Sequence, residues 1–215
     1  MALGRKDGQS NSNMVFLSPR GKKDGKEITP QFFIRRKVGD KYVEDGSTDR
    51  FSGKLSRITH KSVAPTVATA APLEIISITM DDEVENERYV AEFTFKVPTR
   101  SLFNRILNLK NFDNVEISYF RNKDGWEAFA LRQDDQTVTA KYEKGNPELP
   151  EVEVTKKKNG TEDKDYFEIN KFFQEKMIEL GRTLDKNNST ARQEAREAVQ
   201  EGSSSQAVSE DDIPF

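Results

Sequence analysis

The segment RYVAEFTFKV, residues 88–97, constrains the fold of this chain more than any other stretch. Its side chains alternate between apolar and polar, which is the pattern of a β-strand with one buried face and one solvated face. The apolar face carries Tyr89, Ala91, Phe93, Phe95 and Val97. Pro98 follows, and because proline has no N–H to donate to a sheet, we expect the strand to end there.

Similar but shorter segments predict further strands. They lie at 51–58, 74–80, 115–120 and 126–132, with a hairpin over 31–43. The pairs Gly39-Asp40 and Asp124-Gly125 are turn sequences that suit hairpins. Gly53 falls inside the strand 51–58, and a glycine in that position indicates a bulge or a strong bend.

Helical spacing of apolar residues appears in three places. Helices are predicted at 101–109 and 165–184, with a weaker one at 189–199. The remaining segments 14–30, 60–73 and 133–165 are expected to be mostly loop, the last with one short hairpin. His60, at the start of the second loop, is expected to be exposed.

The order of these elements is three strands, a helix and a closing hairpin, which is the order of an OB-fold barrel. A bend at Gly53 suits a first strand that curves through both halves of such a barrel. We therefore predict a mainly β, OB-fold-like five-stranded barrel with an added N-terminal hairpin, C-terminal helices and a disordered acidic tail. The predicted segments are a flexible basic arm (1–30), an OB-fold-like domain (31–135), a polar loop and helical extension (136–199), and a disordered tether and tip (200–215).

The composition excludes several classes of protein. The chain has 215 residues, of which 34% are apolar and 33% charged, so part of it is expected to lie outside any packed core. It has no cysteine and one histidine, which excludes disulfides and does not favour a zinc site. No apolar run suits a signal peptide or a membrane span. We expect a soluble intracellular protein without a metal or cofactor.

Charge is distributed unevenly. Residues 1–41 contain ten Lys and Arg against four Asp and Glu, whereas residues 199–215 contain four acidic residues and no basic one. A basic front predicts an anionic partner for the body, and an acidic tail predicts a different partner or contact with the body itself. Solubility alone is the competing explanation for the basic front.

The sequence contains no motif of a known catalytic site. It lacks a phosphate-binding loop, a nucleophile elbow and a zinc-binding HExxH pair. The acidic segment 81–87 is expected to be a solvated connection between strands. Its alternative role is a magnesium-dependent nuclease site built on Asp81, Asp82 and Glu85. We predict that the chain is not an enzyme and has no catalytic residue.

Two hairpins interleave aromatic and basic side chains, which is the composition of surfaces that bind single-stranded nucleic acid. Phe32, Phe33, Tyr119 and Phe129 are expected to be core residues. The predicted DNA-binding residues are Arg35, Arg36, Lys37, Lys41, Tyr42, Lys54, Arg57, Arg121, Lys123 and Trp126. Trp126 has packing at the rim as its alternative role.

The chain ends in Glu210-Asp211-Asp212-Ile213-Pro214-Phe215, after the polar segment GSSSQAVS. This ending closely resembles the acidic tip of bacterial single-stranded DNA-binding proteins, which end in an Asp-rich Ile-Pro-Phe. The layout of a nucleic-acid-binding body, a tether and a tip is also similar. The body departs from the bacterial pattern, because some fifty residues precede the proposed barrel. The chain therefore resembles a divergent member of this family, such as a bacteriophage protein with a host-type tip.

The resemblance implies a function and a set of partners. The protein is expected to bind and protect single-stranded DNA with little sequence preference during replication, repair or recombination. Asp211, Asp212, Ile213, Pro214 and Phe215 are expected to recruit partner proteins from those processes, in the cytoplasm of a bacterial or phage-infected cell. No membrane partner is expected, and self-association is left open. The alternative is an adaptor that imitates the tip without binding DNA.

Overall fold

A computed structural model describes residues 14–65, 71–157 and 161–204, with the backbone alone described at Arg192 and over 194–204. The protein is mainly β, as predicted. The strands are β1 (Met14–Lys23), β2 (Lys26–Val38), β3 (Lys41–Thr48), β4 (Arg50–Val63), β5 (Leu73–Asp82), β6 (Glu87–Thr94), β7 (Val115–Arg121), β8 (Glu127–Gln133), β9 (Gln136–Thr137), β10 (Glu153–Lys156) and β11 (Glu162–Asp165). The helices are α1 (Val97–Ile106) and α2 (Phe167–Ser204).

Nine of these strands form one mixed sheet in the order β3-β2-β1-β6-β5-β4-β7-β8-β9. The pairing of β1 with β6 is parallel, and the other neighbours are antiparallel. Strands β10 and β11 form a separate hairpin within the segment expected to hold one. The described strands do not close into a barrel, so the sheet has two edges, at β3 and at β9.

The bend predicted at Gly53 divides β4 between two parts of the sheet. Residues 50–53 pair with β7, whereas residues 54–63 pair with β5. Gly53 has a φ of 151°, and a Cβ there would lie 2.5 Å from the carbonyl oxygen of Asp81. Only glycine fits this close approach of two backbones, so the bend depends on that residue.

The prediction that residues 14–30 form a loop is wrong. Residues 14–23 form β1, and β2 begins at Lys26. Val15 and Leu17 are fully buried, because β1 lies inside the sheet between β2 and β6. The basic segment is therefore part of the sheet rather than a flexible arm from residue 14 onward. Residues 1–13 lie outside the described part of the chain.

A cluster of aromatic rings fills the core between the curved parts of the sheet. Phe32, from β2, lies 4.9 Å from Phe51 and 6.5 Å from Phe93, measured between ring centroids. Its ring also contacts Tyr119 and Phe129. Phe32, Tyr119 and Phe129 are buried, as predicted. The N-terminal hairpin therefore supplies a central core residue and is not an addition to an independent domain.

Both helices differ from their predicted bounds. Pro98 does not end a strand; β6 stops at Thr94, and Pro98 lies in the first turn of α1, where its missing N–H costs nothing. Helix α2 is one continuous helix from Phe167 to Ser204, instead of two helices and a tether that begins at residue 200. Residues 205–215, which include the predicted partner-binding tip, lie outside the described part of the chain.

Helix α2 packs along the edge of β4 that β7 leaves uncovered. Asn188 donates a hydrogen bond to the carbonyl oxygen of Ser56 at 2.7 Å, and Gly181 lies directly against the carbonyl of Ile58. A helix over a strand edge prevents that edge from pairing with another chain. Neither this helix nor α1 is long and apolar enough to cross a bilayer.

The two predicted hairpins with short turns are confirmed. Gly39-Asp40 joins β2 to β3, and the segment from residue 122 to 126 joins β7 to β8. The loop between β4 and β5 is shorter than predicted, because β4 continues to Val63 and β5 begins at Leu73. Residues 66–70 of that loop are outside the described part of the chain.

Candidate nucleic-acid interface

The side of β1, β2 and β3 that points away from the core gathers aromatic and basic side chains; we call it the outer face. Cross-strand neighbours in a sheet lie on the same face. Phe16 is opposite Arg35 and Ser18 opposite Phe33, and β3 adds Tyr42 opposite Lys37. The outer face contains Phe16, Ser18, Arg20, Lys23, Gln31, Phe33, Arg35, Lys37, Tyr42 and Glu44.

Arg35 is the notable cation of the outer face. Its guanidinium is half-buried and donates one hydrogen bond, to the hydroxyl of Ser18 at 2.8 Å. Its Nε is buried without a hydrogen-bond partner, and Arg35 has no carboxylate within ion-pair distance among the described residues. A half-buried guanidinium with no carboxylate beside it among the described residues retains the capacity for charge-assisted hydrogen bonds, so this position favours binding of an anion from solvent.

Phe33 is buried on the outer face, apart from the main core. The guanidinium carbon of Arg20 lies 4.9 Å and the Nζ of Lys23 lies 5.0 Å from the centre of its ring. Glu44 forms ion pairs with both cations, at 3.6 Å and 2.9 Å. The two cations thus cover the aromatic ring, a cation–π arrangement that stabilises the β1–β2 hairpin.

Tyr42 provides the exposed ring of the outer face. Its side chain is 53% exposed, and its ring packs edge-on against Phe16 with 5.0 Å between centroids. Lys37, opposite Tyr42 on β2, is exposed and has no ion pair with a described residue. A fixed ring beside a free ammonium group can stack a base and neutralise the neighbouring phosphate.

Arg36 does not join this surface, although the sequence predicted that it would. It points to the opposite side of β2 and forms ion pairs with Glu87 at 2.7 Å and Asp45 at 3.0 Å. The hydrogen bond to Glu87 is the largest of the effects that raise the pKa of Arg36. Because two carboxylates already neutralise Arg36, it is not available for phosphate. Lys41 lies on the same side as Arg36 and is exposed.

Lys54 and Arg57 lie on the outer side of β4, which β6 and β5 separate from β1. Lys54 pairs with Asp113 at 3.0 Å and Arg57 with Asp185 at 3.6 Å. Both cations are more than half exposed, and ion pairs of this kind contribute little to stability. They can exchange a carboxylate for a phosphate, but they are separate from the cluster around Arg35.

The β7–β8 turn holds the three remaining predicted residues. Arg121 donates hydrogen bonds to the carbonyl oxygens of Gly125 at 2.9 Å and Ile28 at 3.3 Å, and it pairs with Glu27. It therefore joins this turn to β2 and has a structural role that the sequence did not indicate. Lys123 is exposed, and Trp126 is 73% exposed, so the tryptophan ring is not packed at a rim.

A cleft of about 780 Å³ between β4, the β5–β6 turn, the start of β7 and the β8–β9 turn is acidic rather than basic. Asp81 in its wall pairs with Arg88, and Asp82 accepts hydrogen bonds from the N–H groups of Val84 and Glu85. In the described ranges no three acidic or histidine side chains are arranged to hold a metal ion.

Phe16, Arg20 and Lys23 are part of the outer face but were not among the predicted binding residues. The basic run at 20–26 was visible in the sequence, but Pro19 and Gly21 obscure the alternation that identifies β1 as a strand. Phe16 could have been identified from its position between Val15 and Leu17, two apolar neighbours that β1 buries.

The fold and this surface define a mainly β protein with an open mixed sheet and a basic, aromatic outer face. No model of a known protein family matches the chain, and no match is found among curated proteins or among solved structures.

Proposed function

We propose that the protein is a non-enzymatic single-stranded DNA-binding protein with little sequence preference. The observation that carries the proposal is the half-buried Arg35, which has no carboxylate partner among the described residues and lies on the same face as the exposed ring of Tyr42. A single strand needs both kinds of group, cations for its phosphates and rings for its bases.

The chemistry of the outer face explains the expected lack of sequence preference. Every base has an aromatic face, so stacking on Tyr42 contributes about 1–3 kcal/mol whichever base is bound. Arg35 and Lys37 contact phosphates, which are the same in every nucleotide. Lys123 and Trp126, in the exposed β7–β8 turn, are the proposed continuation of the DNA path.

We further propose that β4, β5, β6, α1, β7 and β8 correspond to an OB-fold. The order of these elements is the order of elements in an OB-fold. Strand β4 is shared between two parts of the sheet, as the first strand of an OB-fold is. The fold binds ligands on its second and third strands and on the loop between its fourth and fifth. That loop is the β7–β8 turn, and β1 extends the second and third strands through its pairing with β6.

The C-terminal tip is proposed to recruit replication, repair or recombination proteins in a bacterial or phage-infected cell. Phe215 offers an aromatic ring and a free carboxylate, which suit an apolar pocket beside a basic residue of the partner. Asp211 and Asp212 would increase the association rate by electrostatic attraction. This role is supported by the resemblance of the sequence Asp-Asp-Ile-Pro-Phe to the tips of bacterial single-stranded DNA-binding proteins.

Binding of fluorescent oligo-dT to wild type, Arg35→Gln and Tyr42→Ala tests the proposal. Tyr42→Ala should weaken binding by about 1–3 kcal/mol at all salt concentrations. Arg35→Gln should weaken binding and reduce the slope of log affinity against log salt by about 0.7, because one phosphate contact is lost. Arg105→Gln on α1 and Phe167→Ala on α2 are matched controls that should leave affinity unchanged.

Trp126 fluorescence gives a second readout. If its ring stacks on bases, oligo-dT should quench the emission, and Trp126→Ala should weaken binding. An unchanged affinity in that variant would remove Trp126 from the interface. The absence of oligo-dT binding at low salt would instead favour the adaptor, which uses the tip but does not bind DNA.

Deleting residues 210–215 separates the two proposed activities. The truncated protein should bind oligo-dT as tightly as wild type or more tightly, because the three acidic side chains of the tip are lost. Capture of replication and repair proteins from a bacterial lysate should be abolished. A large loss of DNA affinity on truncation would contradict the role given to the tip.

A further inference from the structure

Strand β3 forms one edge of the nine-stranded sheet, and in the described part of the chain it pairs with β2 alone. An uncovered strand edge offers backbone groups to another strand. Three apolar side chains are exposed beside it: Val38 at 65%, Tyr42 at 53% and Val43 at 49%. This edge is longer than the two-residue β9 at the other end of the sheet.

The hairpin geometry identifies which backbone groups of β3 are free. Val38 and Lys41 close a two-residue turn, with Gly39 at a φ of 62°. Such a closing pair is hydrogen-bonded, and bonded and non-bonded pairs alternate along an antiparallel ladder. The backbone groups of Tyr42 and Glu44 therefore point away from β2.

We infer that β3 pairs antiparallel with β3 of a second copy of this chain, about a two-fold axis at Val43. In this register the free backbone groups of Tyr42 meet those of Glu44 in the other copy. Lys41 of each copy lies opposite Asp45 of the other, and the two Val43 side chains pack together. The contact is isologous, so it closes as a dimer.

Charge selects this register over its neighbours. An axis at Tyr42 would place Asp40 opposite Glu44, and an axis at Glu44 would place the two Glu44 side chains opposite each other. Like charges directly opposite are unfavourable, whereas the axis at Val43 pairs opposite charges twice. Gly46, with a φ of 107°, and the register shift between Phe33 and Arg35 bend the strand beyond Asp45 and limit the contact to residues 41–45.

A two-fold axis perpendicular to the sheet keeps both outer faces on the same side. Arg35, Lys37 and Tyr42 of the two copies would then form one continuous surface across the dimer. If the proposed function is correct, the dimer binds a longer single strand than one copy does. This consequence rests on that function, but the dimer itself does not.

Light scattering on wild type, Lys41→Glu and Asp45→Lys tests the inference. Wild type should have a mass of about twice the 24.5 kDa of one chain. Each variant alone should be a monomer, because like charges then face each other at both ends of the contact. An equimolar mixture of the two variants should form a dimer again. Positions 41 and 45 are both acidic in Lys41→Glu and both basic in Asp45→Lys, so opposite charges meet at both pairs.

The mixture also controls for folding. Asp45→Lys removes an ion-pair partner of Arg36 within the same chain. Lys41 has no ion pair with a described residue, so Lys41→Glu should fold as wild type does and keep the wild-type circular dichroism spectrum. A monomeric wild type, or variants that remain dimers, would overturn the inference. A monomeric wild type that still binds short oligo-dT would leave the DNA-binding proposal intact, so the two proposals fail separately.

Discussion

At the scale of single residues, adjacent positions in a strand have opposite environments. Arg35 and Arg36 are neighbours in β2. Arg35 points to the outer face and has no carboxylate partner in the described part of the chain, while Arg36 is held by Glu87 and Asp45. The alternation of a strand predicts that only one of them can face a given ligand. It does not predict which one meets carboxylates, because Glu87 comes from β6, more than fifty residues away.

His60 and Glu74 form another pair that the sequence did not predict. His60 was expected in an exposed loop, but it lies on β4, half-buried, with its Nε2 2.5 Å from Glu74. When His60 Nε2 donates its one hydrogen to Glu74, that nitrogen cannot also accept a hydrogen bond from the side-chain amide of Gln174. The amide of Gln174 therefore donates to Glu74, at 3.3 Å. The hydroxyl of Ser62 also donates to Glu74, at 2.8 Å.

These contacts predict a loss of stability in acid. The hydrogen bond from Ser62 is the first cause that lowers the pKa of Glu74; burial opposes it, and the bond with His60 adds to it. A carboxylate with a lowered pKa stabilises the folded state above its unfolded pKa, about 4.3, and this contribution disappears as pH falls through the folded pKa. Glu74→Gln should therefore lose less stability than wild type between pH 5 and strongly acidic pH, as measured by urea unfolding.

Glu148→Gln, at an exposed loop position, is the control for the removal of one carboxylate. It should follow the wild-type pH dependence. The same acid sensitivity in Glu74→Gln as in wild type would show that the contacts of the Glu74 carboxylate, with Ser62 first and His60 second, do not contribute.

At the scale of elements, the sequence correctly predicted the hairpins, because their two strands are close in the chain. The β2–β3 and β7–β8 hairpins follow from turns at Gly39-Asp40 and Asp124-Gly125, whose partners are close in sequence. Strand β1 could not be predicted in this way. It pairs in parallel with β6, and Pro19 and Gly21 interrupt its pattern, so its place depends on a partner about seventy residues away.

Gly181 shows how closely α2 approaches the edge of β4. Alanine normally stabilises a helix relative to glycine by about 1 kcal/mol. At position 181 a Cβ would overlap the carbonyl of Ile58, so we expect the opposite sign. Gly181→Ala should destabilise the protein by about 1–3 kcal/mol, which is the usual cost of overpacking, as measured by denaturant unfolding.

Glu175→Ala, on the exposed side of the same helix, is the matched control. It should be neutral or slightly stabilising, because it keeps the helix without adding a contact to β4. If Gly181→Ala is as stable as that control, the helix does not rest on the strand edge.

At the scale of the whole molecule, the sequence predicted a mainly β protein but not how the sheet is completed. The strand order from β4 to β8 was recognisable, and the bend at Gly53 was expected. The described strands do not close into the predicted OB-fold-like five-stranded barrel, because β6 pairs with β1 rather than with a later strand. The candidate site changed for the same reason, since β1 contributes Phe16, Arg20 and Lys23 to the outer face.

Phe32 tests whether the N-terminal hairpin is integral to the fold. It is fully buried, with four aromatic rings around it from β4, β6, β7 and β8. Phe32→Ala should destabilise the protein by about 3–5 kcal/mol, the cost of losing a buried ring and leaving a cavity. Denaturant unfolding measures the change. Phe167→Ala, at a position 64% exposed, should have little effect.

Helix α2 extends well past Asn188, the last of its described side chains to donate a hydrogen bond to the sheet. From Asn188 the helix continues to Ser204, a further distance of about 24 Å at 1.5 Å per residue. The length of the helix therefore sets how far from the sheet the chain leaves α2 at Ser204. The number of residues in the helix sets the side of the helix axis on which the chain leaves it. Adding or removing one residue rotates the exit point about the helix axis by about 100°. Adding or removing seven residues nearly restores the original orientation and moves the exit point by about 10 Å along the axis.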